Sequence, residues 1–123
     1  MILIGDPYIP YESITRVDSK EDIAKTEPNT TVVFNMDMEL LSYCIDNALH
    51  CGVIAKNTLE VIYAHNLGAK YIIVPKEIVK NMQELADNYM FDSKILAIIS
   101  DTKEIAEVAK QHIDGIIYKD LLG

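Results

Sequence analysis

The sequence is poor in the residues that build the common phosphate and nucleophile motifs. Its 123 residues include one arginine, Arg16, no tryptophan and only five glycines. A clamp of several arginines around a phosphate group is therefore excluded. The glycines are spaced so that neither a G-x-G-x-x-G loop nor a Walker motif can be written. No G-x-S-x-G elbow is present either. We find no catalytic constellation, and this favours a non-catalytic function.

Long apolar runs and clusters of positive charge are also missing. No run approaches the roughly 18 to 20 apolar residues of a membrane span. The opening "MILIGDPY" is too short and lacks the basic region of a signal peptide. With 19 acidic against 11 basic residues, the net charge is −8. Binding to nucleic acid or to anionic lipid needs clustered lysine and arginine, so neither partner is expected. We expect a cytoplasmic protein.

Two cysteines cannot form the disulfide framework of a secreted domain. If Cys44 and Cys51 share a helix, the rise of about 1.5 Å per residue separates their Cα atoms by roughly 10 Å, beyond the limit of about 7 Å for a bridge. We therefore predict two reduced thiols in the core. No pair of histidines has a spacing suited to zinc, and no metal or cofactor is predicted.

Short β-branched runs alternate with segments of helical period along the chain. Strands are predicted at 2–4, 13–17, 31–35, 52–56, 71–75, 95–100 and 115–118, and helices near 19–26, 38–50, 58–67, 76–90 and 102–112. Continuous apolar strands between helices are typical of a mostly parallel sheet covered on both faces. We predict one α/β domain over residues 1–123, a three-layer α/β/α sandwich that is Rossmann-like or flavodoxin-like. The alternative to this open sheet is a curved sheet that forms part of a (βα) barrel. A complete barrel needs about 250 residues, so the open sheet is favoured.

Local signals agree with these boundaries. Ser19, Asp37, Asn57 and Asp101 stand where helix N-caps are expected, and Gly52, Gly68 and Gly115 stand where helices are expected to end. The segment "DPYIPYES" at 6–13 contains two prolines, so it fits neither a central strand nor a helix. We interpret it as an irregular crossing that leads to an extra strand at 13–17, either antiparallel or at the edge of the sheet.

Polar residues follow most of the predicted strands. In an open α/β sheet, ligands bind outside the carboxyl ends of the strands. The predicted ligand-binding residues are therefore Asp6, Asn35, Asp37, Lys56, Lys76, Ser100, Asp101 and Lys119. The competing interpretation is structural, since Asp37 and Asp101 are also candidate helix caps.

The tail "KILAIISDTKEIAEVAKQHIDGIIYKDLL" at 94–122 resembles the last βαβ unit of response-regulator receiver domains. That resemblance implies that Ser100 corresponds to the hydroxyl residue that ends the fourth strand of the family. It also implies that Lys119 corresponds to the lysine that ends the fifth strand and binds a phosphoryl oxygen. The preceding strand, "YIIVP", has Val74 and Pro75 where the phosphate-accepting aspartate belongs. The same tail is similar to the final unit of glycerophosphodiester phosphodiesterases, and "LGAKYIIVP" is similar to strands of Schiff-base aldolases. These resemblances imply a shared fold pattern and no particular chemistry.

Two functions are consistent with the sequence. The first, which we prefer, is a non-catalytic binding or regulatory module that self-associates, for example as a homodimer. The tyrosine-rich segment near residue 8 and the missing catalytic residues favour it. The second is an enzyme or sensor for a small anionic metabolite, in which Lys56, Lys76 and Lys119 are the charge partners.

Overall fold

The computed structural model describes residues 1–123 as seven strands and five α-helices. The strands are β1 (Ile2–Ile4), β2 (Ile14–Arg16), β3 (Thr31–Asn35), β4 (Cys51–Ile54), β5 (Tyr71–Pro75), β6 (Lys94–Ile99) and β7 (Gly115–Tyr118). The α-helices are α1 (Lys20–Ala24), α2 (Met38–Asp46), α3 (Thr58–Asn66), α4 (Val79–Asn88) and α5 (Glu104–Ala109), and a final 3₁₀ helix covers Lys119–Leu122.

All seven strands form one parallel sheet in the order β1-β7-β6-β5-β4-β3-β2. The α/β class and the parallel sheet predicted from the sequence are confirmed. The extra edge strand near the beginning of the chain is β2, which pairs in parallel with β3. The strand order, which the sequence leaves open, runs sequentially from β2 to β7.

The sequential order decides where the helices lie. Right-handed crossovers that always step in one direction place every connecting helix on the same face of the sheet. The buried helix residues accordingly all belong to one large core cluster, in which the helices pack on alternate residues of β3 to β7. Each helix contributes at least one residue to it, for example Ile23 of α1, Leu41 of α2, Val61 of α3, Met82 of α4 and Val108 of α5.

The opposite face of the sheet carries a smaller apolar cluster without any α-helical residue. It consists of Ile4, Val33, Tyr71, Ile73, Leu96 and Ile117. Leu121 and Leu122 of the final 3₁₀ helix pack against it. That helix contacts both β7 and β2, which lie near opposite edges of the sheet, so the sheet is curled around this cluster. We call this face the concave face. The curl resembles the wall of a (βα) barrel. Part of such a barrel is the alternative to an open sheet that the sequence leaves open.

The helix boundaries follow the predicted caps with three exceptions. Ser19, Asp37 and Asn57 cap α1, α2 and α3 with their side chains, and Gly68 ends the α3 turn with a φ of +96°. Gly52 and Gly115 are wrong as helix ends, because both lie inside strands. Ala48 and His112 take the left-handed conformation instead. Asp101 is the third exception and is described with the site.

Candidate ligand-binding site at the carboxyl edge of the sheet

The predicted site residues lie along one edge, because all the strands are parallel and their carboxyl ends meet there. The structure divides them into two groups of four according to whether their side chains have partners within the protein. The first group has none: Asn35, Lys56, Ser100 and Lys119. The second group forms hydrogen bonds or ion pairs: Asp6, Asp37, Lys76 and Asp101.

Side-chain alternation places Asn35, which lies within β3. Successive residues of a strand point to opposite faces. Asn35 comes two residues after Val33 of the concave cluster, with buried Phe34 of the helix-side core between them. Lys56, Ser100 and Lys119 also come two residues after residues that belong to this cluster or pack on it, but they lie past the ends of β4, β6 and β7, so alternation does not assign them a face. The intervening residues Ala55, Ile99 and Tyr118 all belong to the helix-side core or pack against it.

Arg16 lies on the same face as Asn35, although it was not among the residues predicted from the sequence. It follows Ile14, which packs on the concave cluster, by two residues. A Cβ placed on Gly123 would lie 3.9 Å from Arg16 Cγ, so this side chain lies beside the final 3₁₀ helix, which Lys119 opens. We define the inner ring as Arg16, Asn35, Lys56, Ser100 and Lys119.

The inner ring carries three cations and no carboxylate. Lys56 and Lys119 are exposed and form no ion pair, because the ion pairs in the structure involve only Arg16, Lys70 and Lys76 as cations. Arg16 pairs with Asp18 at 3.2 Å, but the Asp18 side chain is 79% exposed. An exposed pair of this kind contributes little. The ring therefore has donors available to a ligand.

Lys76, by contrast, is occupied by the N-terminal turns of α5. Its Nζ lies 2.6 Å from a Glu104 carboxylate oxygen and 3.8 Å from one of Glu107. The other Glu104 oxygen accepts hydrogen bonds from the backbone N–H groups of Ser100 and Asp101, at 2.7 and 2.9 Å. Lys76 and these two amides lower the pKa of Glu104 to about 2. Lys76 is thus the structural partner of Glu104.

Glu104→Gln should reduce stability by less than about 1 kcal/mol at neutral pH, because the ion pair is partly open to solvent. The folded pKa of Glu104 is depressed, so its contribution is present above the unfolded value of about 4.3 and is lost as the pH falls toward 2. Urea unfolding at pH 7 and pH 3 checks this. The difference between wild type and variant should shrink at pH 3, and an equal difference at both would contradict the assignment.

The three aspartates also satisfy local backbone groups. Asp37 accepts from the N–H groups of Glu39 and Leu40 at 3.0 and 3.1 Å, as an N-cap does. Asp6 accepts from the N–H groups of Tyr8 and Ile9 at 2.8 and 3.1 Å.

Asp101 was predicted as the N-cap of α5, and this is wrong. The helix begins at Glu104 after a turn, and Asp101 accepts only from the N–H of Lys103, at 2.8 Å. The physical reason is that residues 101–104 form a 3₁₀-type turn, in which the Glu104 N–H bonds the Asp101 carbonyl at 3.0 Å, before the regular α-helix begins. These aspartates do not converge, and no group of three or more His, Cys, Asp or Glu residues is arranged to hold a metal ion.

A second polar cluster lies at the opposite, amino edge of the sheet. The carboxylate of Glu12 accepts hydrogen bonds from Thr31 Oγ1 at 2.6 Å, from Lys70 Nζ at 2.9 Å and from the Tyr71 hydroxyl. Burial alone would raise the pKa of Glu12, but the donors Thr31, Tyr71 and Lys70 together lower it. Burial and the Glu12 carboxylate raise the pKa of Tyr71. We call these four residues the Glu12 clamp.

The largest cavity, about 630 Å³, also lies at the amino edge. Its lining includes His50, His65, Lys70, Tyr71 and Lys94. The basic side chains there are balanced in part by Asp92, and Lys70 is held by Glu12. No local pattern connects these residues, because they come from α3 and from the amino ends of β4, β5 and β6.

The cysteines do not share a helix, so the separation calculated for that case does not apply. Cys44 lies in α2 and Cys51 opens β4. Both thiols are free and fully buried in the helix-side core, as the sequence predicted. A hydrogen bond with the Cys44 thiol, together with burial, raises the pKa of the Cys51 thiol.

Comparison with models of known protein families finds no match, and comparison with curated proteins finds no significant match either. None of the helices is both long and apolar enough to cross a bilayer.

Proposed function

We propose that this chain is a non-catalytic binding module that self-associates through the outer surface of α3 and the turn after α4. The observation that carries this proposal is that α3 is apolar on two sides. Val61 and Ala64 are buried against the sheet, whereas Leu59 and Tyr63 on the outer side are 60% and 46% exposed. A surface helix normally has one apolar stripe, and a helix that is apolar all round is normally covered on both sides.

The turn after α4 extends this apolar surface. Tyr89 and Met90 are 71% and 85% exposed. A groove of about 370 Å³ runs between the two helices, and its lining includes Ile62, Leu85, Tyr89 and Phe91. Tyrosine, phenylalanine and methionine are enriched at the cores of protein interfaces. We define the α3–α4 surface as Leu59, Ile62, Tyr63, Tyr89 and Met90.

The partner that fits this surface best is a second copy of the chain. Homo-oligomers usually close around a two-fold axis, where the same patch on each subunit meets its copy. An apolar helix face is suited to this arrangement, because the outer faces of two α3 helices can pack against each other. The five side chains that define the α3–α4 surface are uncharged.

Tyr63→Glu should convert the dimer to a monomer, since a glutamate at the centre of an apolar contact loses its hydration without gaining a partner. Light scattering after size exclusion measures the mass directly. Ala106→Glu is the matched control, because Ala106 is an exposed helical residue on α5. We expect the wild type and Ala106→Glu to have twice the mass of Tyr63→Glu. A monomeric wild type at high micromolar concentration would overturn the proposal.

The inner ring favours a second candidate function, the binding of a small anionic ligand at the carboxyl edge. Lys56 and Lys119 support it because they are exposed at the carboxyl edge of the sheet and form no ion pair. Lys76 no longer belongs to this candidate, because Glu104 holds it. Replacing Lys119 with alanine should weaken binding of the anion and leave the fold unchanged. A ligand screen by thermal shift in which no anion stabilises the wild type would contradict this second function.

A further inference from the structure

Three adjacent strands bring basic side chains together where they begin, at the amino edge of the sheet. The strands β4, β5 and β6 are neighbours in the sheet. The backbone N–H of Lys70 donates to the carbonyl of Cys51 at 2.9 Å, and that of Lys94 donates to the carbonyl of Lys70 at 3.0 Å. His50 directly precedes Cys51 in the sequence. The backbone ladder of the sheet therefore fixes His50, Lys70 and Lys94 beside one another.

These three residues line the cavity of about 630 Å³, and His65 of α3 lines it with them. The other lining residues are Ile2, Gly68, Ala69, Tyr71, Asp92 and Ser93. The lining thus contains two of the three histidines of the chain and only one of its 19 acidic residues. Cavities of roughly 300 to 1,000 Å³ are typical of small-molecule sites.

The two lysines of the cavity have hydrogen-bond donors that the protein leaves unused. Lys94 is exposed and forms no ion pair. Lys70 donates to Glu12 at 2.9 Å, and its Nζ lies 5.2 Å from the centre of the Tyr71 ring. An ammonium group has three donors, so Lys70 is held by these contacts and still has donors for a ligand.

His65 supplies a further donor from a ring that is held in place. The ring stacks on Phe91, with the two centroids 3.8 Å apart and 2° between the planes. Its Nε2 accepts a hydrogen bond from the N–H of Asp92 at 3.4 Å, which places the proton of the neutral imidazole on Nδ1. That Nδ1 is the one buried side-chain nitrogen or oxygen in the protein without a hydrogen-bond partner. A buried donor without an acceptor is costly, and a ligand oxygen would remove this cost.

We propose that this cavity binds a small organic monocarboxylate, with Lys94 as its charge partner and Lys70 and His65 as further donors. The charges favour a carboxylate over a phosphoryl group. Glu12 already compensates Lys70, so Lys94 is the one lysine of the cavity without an ion pair. One free ammonium group matches the single charge of a carboxylate. A phosphoryl group carries close to two negative charges, and the second would lie beside Asp92 without a partner.

The organic part of the ligand has an apolar lining to contact. Ile2, Ala69 and the ring of Tyr71 belong to the same cavity. Small-molecule sites commonly combine such apolar walls with a few polar groups that orient the ligand. The cavity lies at the opposite edge of the sheet from the inner ring, and its proposed ligand depends on neither of the functions proposed above.

The test is a titration with benzoate and with its uncharged counterpart benzamide, followed by NMR of the ¹⁵N-labelled protein. We expect benzoate to shift the backbone signals of Gly68, Ala69 and Ser93, and benzamide to bind about tenfold more weakly. Lys94→Gln removes the charge and should weaken benzoate binding by about tenfold. Lys103→Gln is the matched control, because Lys103 is an exposed lysine outside the cavity, and its effect should stay below about twofold.

His65→Phe tests the third donor, because it retains an aromatic ring to stack on Phe91 and removes Nδ1. It should weaken benzoate binding by about threefold to tenfold. Thermal unfolding of Lys94→Gln should match that of the wild type, which separates lost binding from lost folding.

Four results would count against the site. If benzoate leaves the signals of the cavity unshifted, or if benzamide binds as tightly as benzoate, the proposal is overturned. Equal effects of Lys94→Gln and Lys103→Gln would overturn it as well. Tighter binding of inorganic phosphate than of benzoate at the same residues would show that the monocarboxylate class is wrong. Wild-type affinity in His65→Phe would remove His65 from the site.

Discussion

Replacing Gly115 with alanine should destabilise the protein by more than about 3 kcal/mol, the largest loss we expect from a single methyl group. Gly115 opens β7 between β1 and β6. A Cβ there would lie 2.5 Å from both the Cβ and the backbone oxygen of Ile2, and 2.9 Å from Leu96 Cδ2. The backbone oxygen of Ile2 cannot rotate away as a side chain can, so β1 would have to separate from β7.

Gly52→Ala is the matched control for this prediction. Gly52 is also buried in a strand, but a Cβ there would meet flexible side-chain ends, Ile73 Cδ1 and Val33 Cγ2, each at 3.3 Å. We expect its cost to stay below about 1.5 kcal/mol. Urea unfolding followed by circular dichroism gives both values. Equal losses for the two variants would show that β1 does not pack on β7 as described.

Glu12→Ala should lower the free energy of unfolding by about 2 to 3 kcal/mol, because it leaves the partly buried donors of Thr31, Lys70 and Tyr71 without an acceptor. The clamp fixes the crossing segment 6–13 under the amino ends of β3 and β5. For a chain of this length the loss corresponds to a fall in Tm of roughly 8 to 12 °C. Glu27→Gln is the control, since Glu27 is exposed and makes no side-chain hydrogen bond. A change of less than about 0.5 kcal/mol in Glu12→Ala would contradict the role of the clamp.

The clamp also gives the stability a pH dependence of known sign. The folded pKa of Glu12 is lower than its ordinary value. A depressed carboxyl pKa contributes stability that is present above the unfolded pKa of about 4.3 and is lost as the pH falls through the folded pKa. Glu12→Gln should therefore show a smaller loss of stability between pH 5 and pH 3 than the wild type shows.

Most secondary structure could be predicted from the sequence, because it depends on local patterns. The run "YIIVP" is apolar on both faces and forms β5 over the residues predicted. Asp37 and Asn57 are followed by helical periods and cap α2 and α3. The strand order could not be predicted, since a buried strand shows the same pattern whichever strands are its neighbours. The close contact between Gly115 and Ile2 joins residues at opposite ends of the sequence, and no local pattern reports it.

The candidate site was predicted only in part for the same reason. Polarity at the strand ends identifies residues such as Lys56 and Lys76, but it does not show which face each occupies. The residue that separates Lys76 from the unpaired Lys56 is its partner Glu104, 28 residues away in the sequence, and no local pattern reports that pair. Arg16 was missed because its strand follows the irregular crossing. Glu12 was missed because its partner Tyr71 is 59 residues away in the sequence.

Oxidative footprinting at low and at high protein concentration tests the proposed self-association most directly. Met90 belongs to the α3–α4 surface, and Met38 on α2 is an exposed methionine outside it. If the surface is the contact between two copies, Met90 and Tyr63 become protected from oxidation as the concentration rises, while Met38 and Tyr8 react equally at both concentrations. Unchanged reactivity of Met90 and Tyr63 in a sample that is dimeric by mass would show that the copies meet elsewhere.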